Sequence, residues 1–226
     1  MSTPSPTSPP TLNGALDEIN RATPDEVRRV LDRGIDEVRD SGVAPGLQIG
    51  DHAPDFALPN QLGQDVALAG RLAQGPVVLV FYRGDWCPFC NLTLVHLQRN
   101  IEAIEAAGAS LIAISPQAPD RSLTLAERHG LRFSVLSDTS QETIRAYRLH
   151  YTLASSNQEL YLNAFAIDLR QQNADGTWDL PAAGTFILDR GGIIRARFVN
   201  TDYRTRMEPA AILNALDGLS IEGSLG

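Results

Sequence analysis

A continuous apolar run, Pro76 to Tyr82, is followed by two cysteines three positions apart and then by Leu94, Leu97, Ile101 and Ile104 at helical spacing. The run reads as a strand covered on both faces, and the later residues as one face of an amphipathic helix. The motif at the junction is Trp86-Cys87-Pro88-Phe89-Cys90, and it holds both cysteines of a 226-residue chain. Two thiols at this spacing can close a disulfide, and a helix start favours the thiolate form. Redox chemistry is the first expectation.

The rest of the chain repeats the alternation. Gly50–Leu58 followed by Leu62–Leu68 reads as an extended segment and then a hairpin at Gly63, Leu111–Ile114 and Phe133–Leu136 read as two more buried strands, and helices are expected over 91–107, 119–129 and 139–149. Residues 150–183 form a variable insert with a helix near 156–166 and a polar loop at 171–178. Thr185–Asp189 and Ile194–Phe198 then make a hairpin at Gly191-Gly192, and Glu208-Pro209 opens a final helix. The order β-α-β-α-β-α, insert, β-β-α, with the cysteines at a strand-to-helix junction, predicts an α/β, thioredoxin-like three-layer fold. Its sheet should be mixed, with parallel central strands and helices on both faces.

Before this domain, Thr23-Pro24-Asp25-Glu26 reads as a capping box for a helix with Val27, Val30, Leu31, Ile35 and Val38 on one face, ended by Gly42. The expected division is a disordered Ser/Thr/Pro-rich tail over 1–10, an N-terminal helical extension over 11–45 and the redox domain over 46–220. The extension either packs on that domain or makes a homodimer contact.

Composition narrows the chemistry. A chain this long buries roughly 70% of its unfolded surface and needs no disulfide staples, so its two cysteines are reactive rather than structural. All 19 basic residues are arginine, which excludes Schiff-base and Walker lysines. A net charge of −8 without a basic run argues against nucleic acid and anionic membranes as partners. Two cysteines cannot supply a zinc site, and His52, His96, His129 and His150 lack finger-like spacing. No cofactor or metal is expected. Without a signal-like N-terminus or a long apolar stretch, the expected compartment is the cytoplasm.

Within the motif, Cys87 is expected in the cap region, nearer solvent, and Cys90 in the first turn, more shielded. Arg83 at the strand end would add positive potential, Trp86 would shape the site, Pro88 would restrain the loop, and Phe89 would offer a docking surface. Exposure at the helix start favours Cys87 as nucleophile.

The segments GDHAPDFALPNQLGQDVAL, GPVVLVFYRGDWCPFCNLTL, LIAISPQ, FSVLSD and TFILDRGGIIRARFV resemble, in this order, the peroxiredoxin-like (alkyl hydroperoxide reductase/thiol-specific antioxidant) proteins, specifically those with a YRGxWCPxC site. The resemblance implies a thiol-dependent peroxidase acting on hydrogen peroxide or organic hydroperoxides. Its cysteine pair would cycle through sulfenic acid and disulfide, restored by thioredoxin, glutaredoxin or a small thiol. It places Cys90 at the peroxidatic position, with Arg83 where the family has proline and Cys87 where it has threonine. The family's distant arginine should precede Thr185, where this chain has Ala183-Gly184. The WCxxC motif alone equally suits a disulfide oxidoreductase, or a redox sensor read by a partner.

Overall fold

A computed structural model describes residues 11–223; the expected disordered tail lies outside that range. Two helices come first, α1 (Leu12–Ala22) and α2 (Asp25–Asp40), followed by the hairpin β1 (Ala57–Pro59) and β2 (Asp65–Ala67) and the short α3 (Leu68–Leu72). Then come β3 (Val77–Phe81), α4 (Pro88–Arg99), α5 (Ile101–Ala106), β4 (Ser110–Ser115), α6 (Pro119–His129), β5 (Ser134–Ser137) and α7 (Glu142–Ala146). The insert contributes β6 (His150–Thr152), α8 (Ser155–Ala164), α9 (Leu169–Gln172) and β7 (Asp179–Pro181). The chain closes with β8 (Ala183–Leu188), β9 (Ile194–Asn200) and α10 (Pro209–Gly223).

The central sheet has the order β5-β4-β3-β8-β9, with β3, β4 and β5 parallel and β8 and β9 antiparallel to their neighbours. This is the mixed sheet of a thioredoxin-like fold. Because side chains alternate along a strand, β3 feeds two cores. Val78 and Val80 pack with Leu94, Leu97, Ile104 and both cysteines, while Val77, Leu79 and Phe81 face Tyr147, Leu149 and Phe186 on the other side.

Three local expectations change. The helix read over 91–107 breaks at Asn100, whose side-chain amide donates to the His96 carbonyl (2.8 Å), an Asn competing with the helix ladder for its own acceptor. The helix read over 139–149 shrinks to α7, since Gln141 and Arg148 both take positive φ. The capping box does not form either. Helix α1 runs up to Thr23, whose hydroxyl donates to the Ile19 carbonyl (3.1 Å), so Pro24 is left to cap α2 without a side-chain bond.

Helices α1 and α2 reach into the molecule. Leu12 and Leu16 are buried in the core that holds the cysteines, and each such burial stabilises by about 1.5–3 kcal/mol. Helix α2 lies against α8 at Gly34, where a Cβ would meet the Asn157 side chain, 2.5 Å from its Cγ. Gly34→Ala is therefore expected to lower stability by about 1–2 kcal/mol in urea unfolding, overpacking outweighing alanine's better helix propensity. Adding Asn157→Ala should recover most of the loss. An unchanged midpoint in the single variant would refute this packing account.

Candidate active site

Cys87 is the N-cap of α4 and Pro88 its first residue, so the motif opens a helix as expected. Proline fits there because its missing N–H would have had no helical acceptor. Upstream, the Tyr82 N–H donates to the Ile114 carbonyl, which fixes the end of β3 against β4. The turn from Arg83 to Asp85 is held by Gln117, which is fully buried. Its Oε1 accepts from the Asp85 N–H (2.6 Å) and its Nε2 donates to Asp85 Oδ1 (2.7 Å). Asn91 on α4 donates to the Asp85 carbonyl (2.8 Å), so sheet and helix grip the same turn.

Exposure differs from expectation. Cys87 is 1% exposed and Cys90 0%, so the N-cap position leaves Cys87 buried, although of the two thiols it is the one that reaches the wall of the neighbouring cleft. Phe89 is also buried, its ring edge-on to Tyr203 at 5.5 Å, and it forms part of the wall of the cleft beside Cys87. Pro88 is the exposed member of the motif, and Trp86 is half-buried, edge-on to Tyr161 at 5.7 Å.

The two cysteines are unbonded and in near-contact at 3.0 Å. Burial pushes the Cys87 thiol well up, and its hydrogen bond to Cys90 adds to that. Burial also disfavours the Cys90 thiolate. Against it stand the hydrogen bond from Cys87, the charges of Arg206 and Arg83, and the Arg83 backbone N–H, which together bring Cys90 down to about 5. These influences favour ionisation of Cys90 over that of Cys87.

Arg206 was not legible as a site residue. It lies in the loop between β9 and α10, 4% exposed, with Nη2 3.6 Å from Cys90 Sγ. Its other guanidinium nitrogen donates to the Tyr203 and Thr205 carbonyls. Ala183 and Gly184, where the resemblance looked for an arginine, are buried strand positions paired with Asn200 and Val199. A Cβ at Gly184 would already press on Leu149 at 3.0 Å.

Arg83 is 1% exposed and donates to the Tyr161 hydroxyl. Its guanidinium carbon lies 3.8 Å from the Tyr203 ring centroid and 4.9 Å from that of Trp86. Among the described residues no carboxylate forms a salt bridge with Arg83 or Arg206. Buried guanidinium groups stay charged and require a counter-charge. Arg206 has the Cys90 sulfur beside it at 3.6 Å and the Asp202 carboxylate within electrostatic reach, while Arg83 is set among Tyr161, Tyr151, Tyr203 and the cysteine pair.

A cleft of about 570 Å³ opens onto this site, and Cys87, Trp86 and Arg83 line it. Its remaining walls are mainly apolar: Ile19 and Val27 from the N-terminal helices, and Phe165 and Ile167 from the insert. Among the described residues no cluster of His, Cys, Asp and Glu could hold a metal. No described helix is long and apolar enough to cross a membrane.

Residues 49–197 match the AhpC/TSA family model. The chain belongs to the AhpC/TSA family. It is 34% identical to peroxiredoxin Bcp of Escherichia coli over 102 residues, which is 45% of this chain and 64% of that protein. The match thus spans less than two thirds of that relative's length. A chloroplastic peroxiredoxin Q of Sedum lineare is 23% identical over 163 residues, covering 72% of this chain and 75% of the relative. Among solved structures, the peroxidoxin BcpB of Mycobacterium tuberculosis superposes with a TM-score of 0.60 at 22% identity, over 77% of this chain and 97% of that one. A peroxiredoxin-like protein from Aquifex aeolicus gives 0.62 at 16% identity, over 78% and 90%. These neighbours establish the peroxiredoxin type of thioredoxin-like fold. The AhpC/TSA match extends over the strand-to-helix junction and both cysteines and ends within β9 of the closing hairpin, before Arg206.

Proposed function

We propose that this chain is a thiol peroxidase that reduces hydroperoxides with Cys90 as nucleophile and Cys87 as resolving thiol. The observation that carries this reading is the buried Arg206 guanidinium 3.6 Å from the Cys90 sulfur, with the buried Arg83 also facing that thiol. The Cys90 thiolate attacks the terminal oxygen of a hydroperoxide, the O–O bond breaks, and Cys90 becomes a sulfenic acid. The departing alkoxide takes the proton held by Cys87. The Cys87 thiolate so formed displaces hydroxide from the sulfenic acid, giving the disulfide, and hydroxide leaves as water after protonation. An external dithiol of the thioredoxin or glutaredoxin type, or a small thiol, returns two electrons by exchange. At 3.0 Å the sulfurs are already close to the bonded distance of about 2.05 Å. The apolar cleft supports organic hydroperoxides as substrates alongside hydrogen peroxide. A reducing cytoplasm would keep such a pair cycling.

A second reading, disulfide exchange with a protein partner, is favoured by Cys87, because that thiol and not Cys90 lines the cleft. Mixing the reduced protein with stoichiometric hydroperoxide separates the two. The expected result is rapid loss of two hydrogens in intact mass, with turnover once a thioredoxin system is present. Disulfide formation only with oxidised thiol partners, at a negligible peroxide rate, would replace the peroxidase with the oxidoreductase.

A further inference from the structure

The guanidinium that faces Cys90 sits in a loop, and the loop is fastened by a residue from the other end of the chain. Asn13, in the first turn of α1, grips the Arg206 backbone at both polar atoms. Its Oδ1 accepts from the Arg206 N–H (2.9 Å) and its Nδ2 donates to the Arg206 carbonyl (2.9 Å). The same Nδ2 also donates to Glu208 Oε1 (2.8 Å). Glu208 in turn accepts from the Leu12 N–H (3.0 Å) and the Asn13 N–H (2.8 Å), placing a carboxylate on the positive end of α1. Leu12 and Leu16 hold α1 in the core that contains both cysteines. The result is a closed loop of contacts from α1 through Asn13 to Arg206 and on to Cys90.

We propose that Asn13 is a positioning residue for the thiol chemistry, holding Arg206 against the Cys90 thiolate. The N-terminal helix is then part of the site's electrostatics as well as of the fold. The proposal rests on the reading of Cys90 as the thiolate of the pair.

The groups facing Cys90 are few. Cys87 donates to it from the α4 cap, Arg206 faces it from the loop before α10, and Arg83 from the end of β3, with Tyr82 next to it in sequence and Tyr151 on β6 also within electrostatic reach. Arg206 is the cation whose guanidinium contacts the sulfur, and nothing on its own loop fixes its backbone in the way Asn13 does. An arginine freed to swing away leaves the thiolate with Arg83 alone.

The test is a titration of thiolate absorbance in the full-length chain with Cys87→Ser, where serine keeps a donor to Cys90 and leaves one thiol to observe. Arg206→Gln is expected to raise the Cys90 pKa by about one to three units. Asn13→Ala should raise it by about one unit, a tenfold loss of thiolate at a fixed pH on the acid limb. The double variant should titrate with Arg206→Gln alone, since both changes remove the same interaction. Thr11→Ala removes the side-chain cap of α1 at the Gly14 N–H without touching Arg206, and should leave the titration unmoved. Asn13→Ser, which cannot bridge both backbone atoms, serves if the alanine variant fails to fold.

An unmoved Cys90 in the Asn13 variants, full additivity with Arg206→Gln, or an equal shift in Thr11→Ala would each overturn the proposal. An unmoved Cys90 in Arg206→Gln would instead overturn the thiolate reading on which it rests.

Discussion

Cys90→Ser is expected to abolish both peroxide consumption and sulfenic acid formation, whereas Cys87→Ser should form the sulfenic acid once and then stop. The asymmetry follows from the charges. In the proposed mechanism Cys90 carries the thiolate, because Cys87 donates to it and Arg206 and Arg83 face it, and Cys87 keeps the proton, because burial and its hydrogen bond to Cys90 oppose its ionisation. In Cys87→Ser the hydroxyl still donates to Cys90, so attack survives, but a serine cannot condense with the sulfenic acid. Intact mass after one equivalent of peroxide should show one added oxygen in Cys87→Ser, two lost hydrogens in the wild type and no change in Cys90→Ser. The pH dependence carries the same assignment. With Cys90 brought down to about 5, protonation removes the nucleophile below that pH, so the rate falls about tenfold per unit on the acid side. Above it the thiolate is fully formed and the rate is level through neutrality. A sulfenic acid trapped on Cys87 in Cys90→Ser would reverse the assignment in favour of the thiol that lines the cleft.

Much of this site was legible because its parts obey local rules. The apolar run ending at Phe81 and the spacing of Leu94, Leu97 and Ile104 place a strand and a helix on either side of the cysteines wherever the chain goes next. Gly42 and Gly130 stop their helices for backbone reasons that a sequence displays. Arg83 was legible as a nearby cation, though its setting among Trp86, Tyr161 and Tyr203 was not, since two of those rings come from the insert and the loop after β9. Exposure misled for a related reason. A helix cap is open in isolation, and only the folded chain brings α1, α2 and α8 around the cleft that Cys87 lines. Arg206 is the clearest omission. It stands in the irregular segment Tyr203-Arg204-Thr205-Arg206, with no periodicity to single it out from Arg204, which pairs instead with Asp32 and Asp202. Family position pointed to Ala183-Gly184, while the fold brings the guanidinium from farther along the chain. Gln117 was visible only as the last residue of LIAISPQ; that it grips Asp85 is a tertiary fact.

That grip underlies the second large effect. Gly84→Ala is expected to lower stability by about 3–5 kcal/mol and to depress the peroxide rate of whatever protein folds. Gly84 has φ +148, a conformation that L side chains rarely adopt, and a Cβ there would lie 2.5 Å from Trp86 Nε1 and 2.9 Å from Gln117 Cδ. Neither neighbour can yield freely. Trp86 is wedged against Tyr161 and Arg83, and moving Gln117 breaks both of its hydrogen bonds to Asp85. Overpacking costs about 1–3 kcal/mol, the loss of hydrogen bonding between Gln117 and Asp85 about 1, and the backbone strain about 1. For a domain of this size that total corresponds to a melting point lower by roughly 6–20 °C. The chemistry suffers as well, because the displaced turn joins Arg83 to Cys87, and the Cys90 thiolate depends on both. Gly63→Ala is the control: its φ is also positive, at +76, but its Cβ would meet nothing within 4 Å. It should lose only about 1 kcal/mol and keep its peroxide rate. If Gly84→Ala melts with Gly63→Ala and turns over peroxide normally, the Gln117–Trp86 clamp does not set the geometry of the cysteine pair.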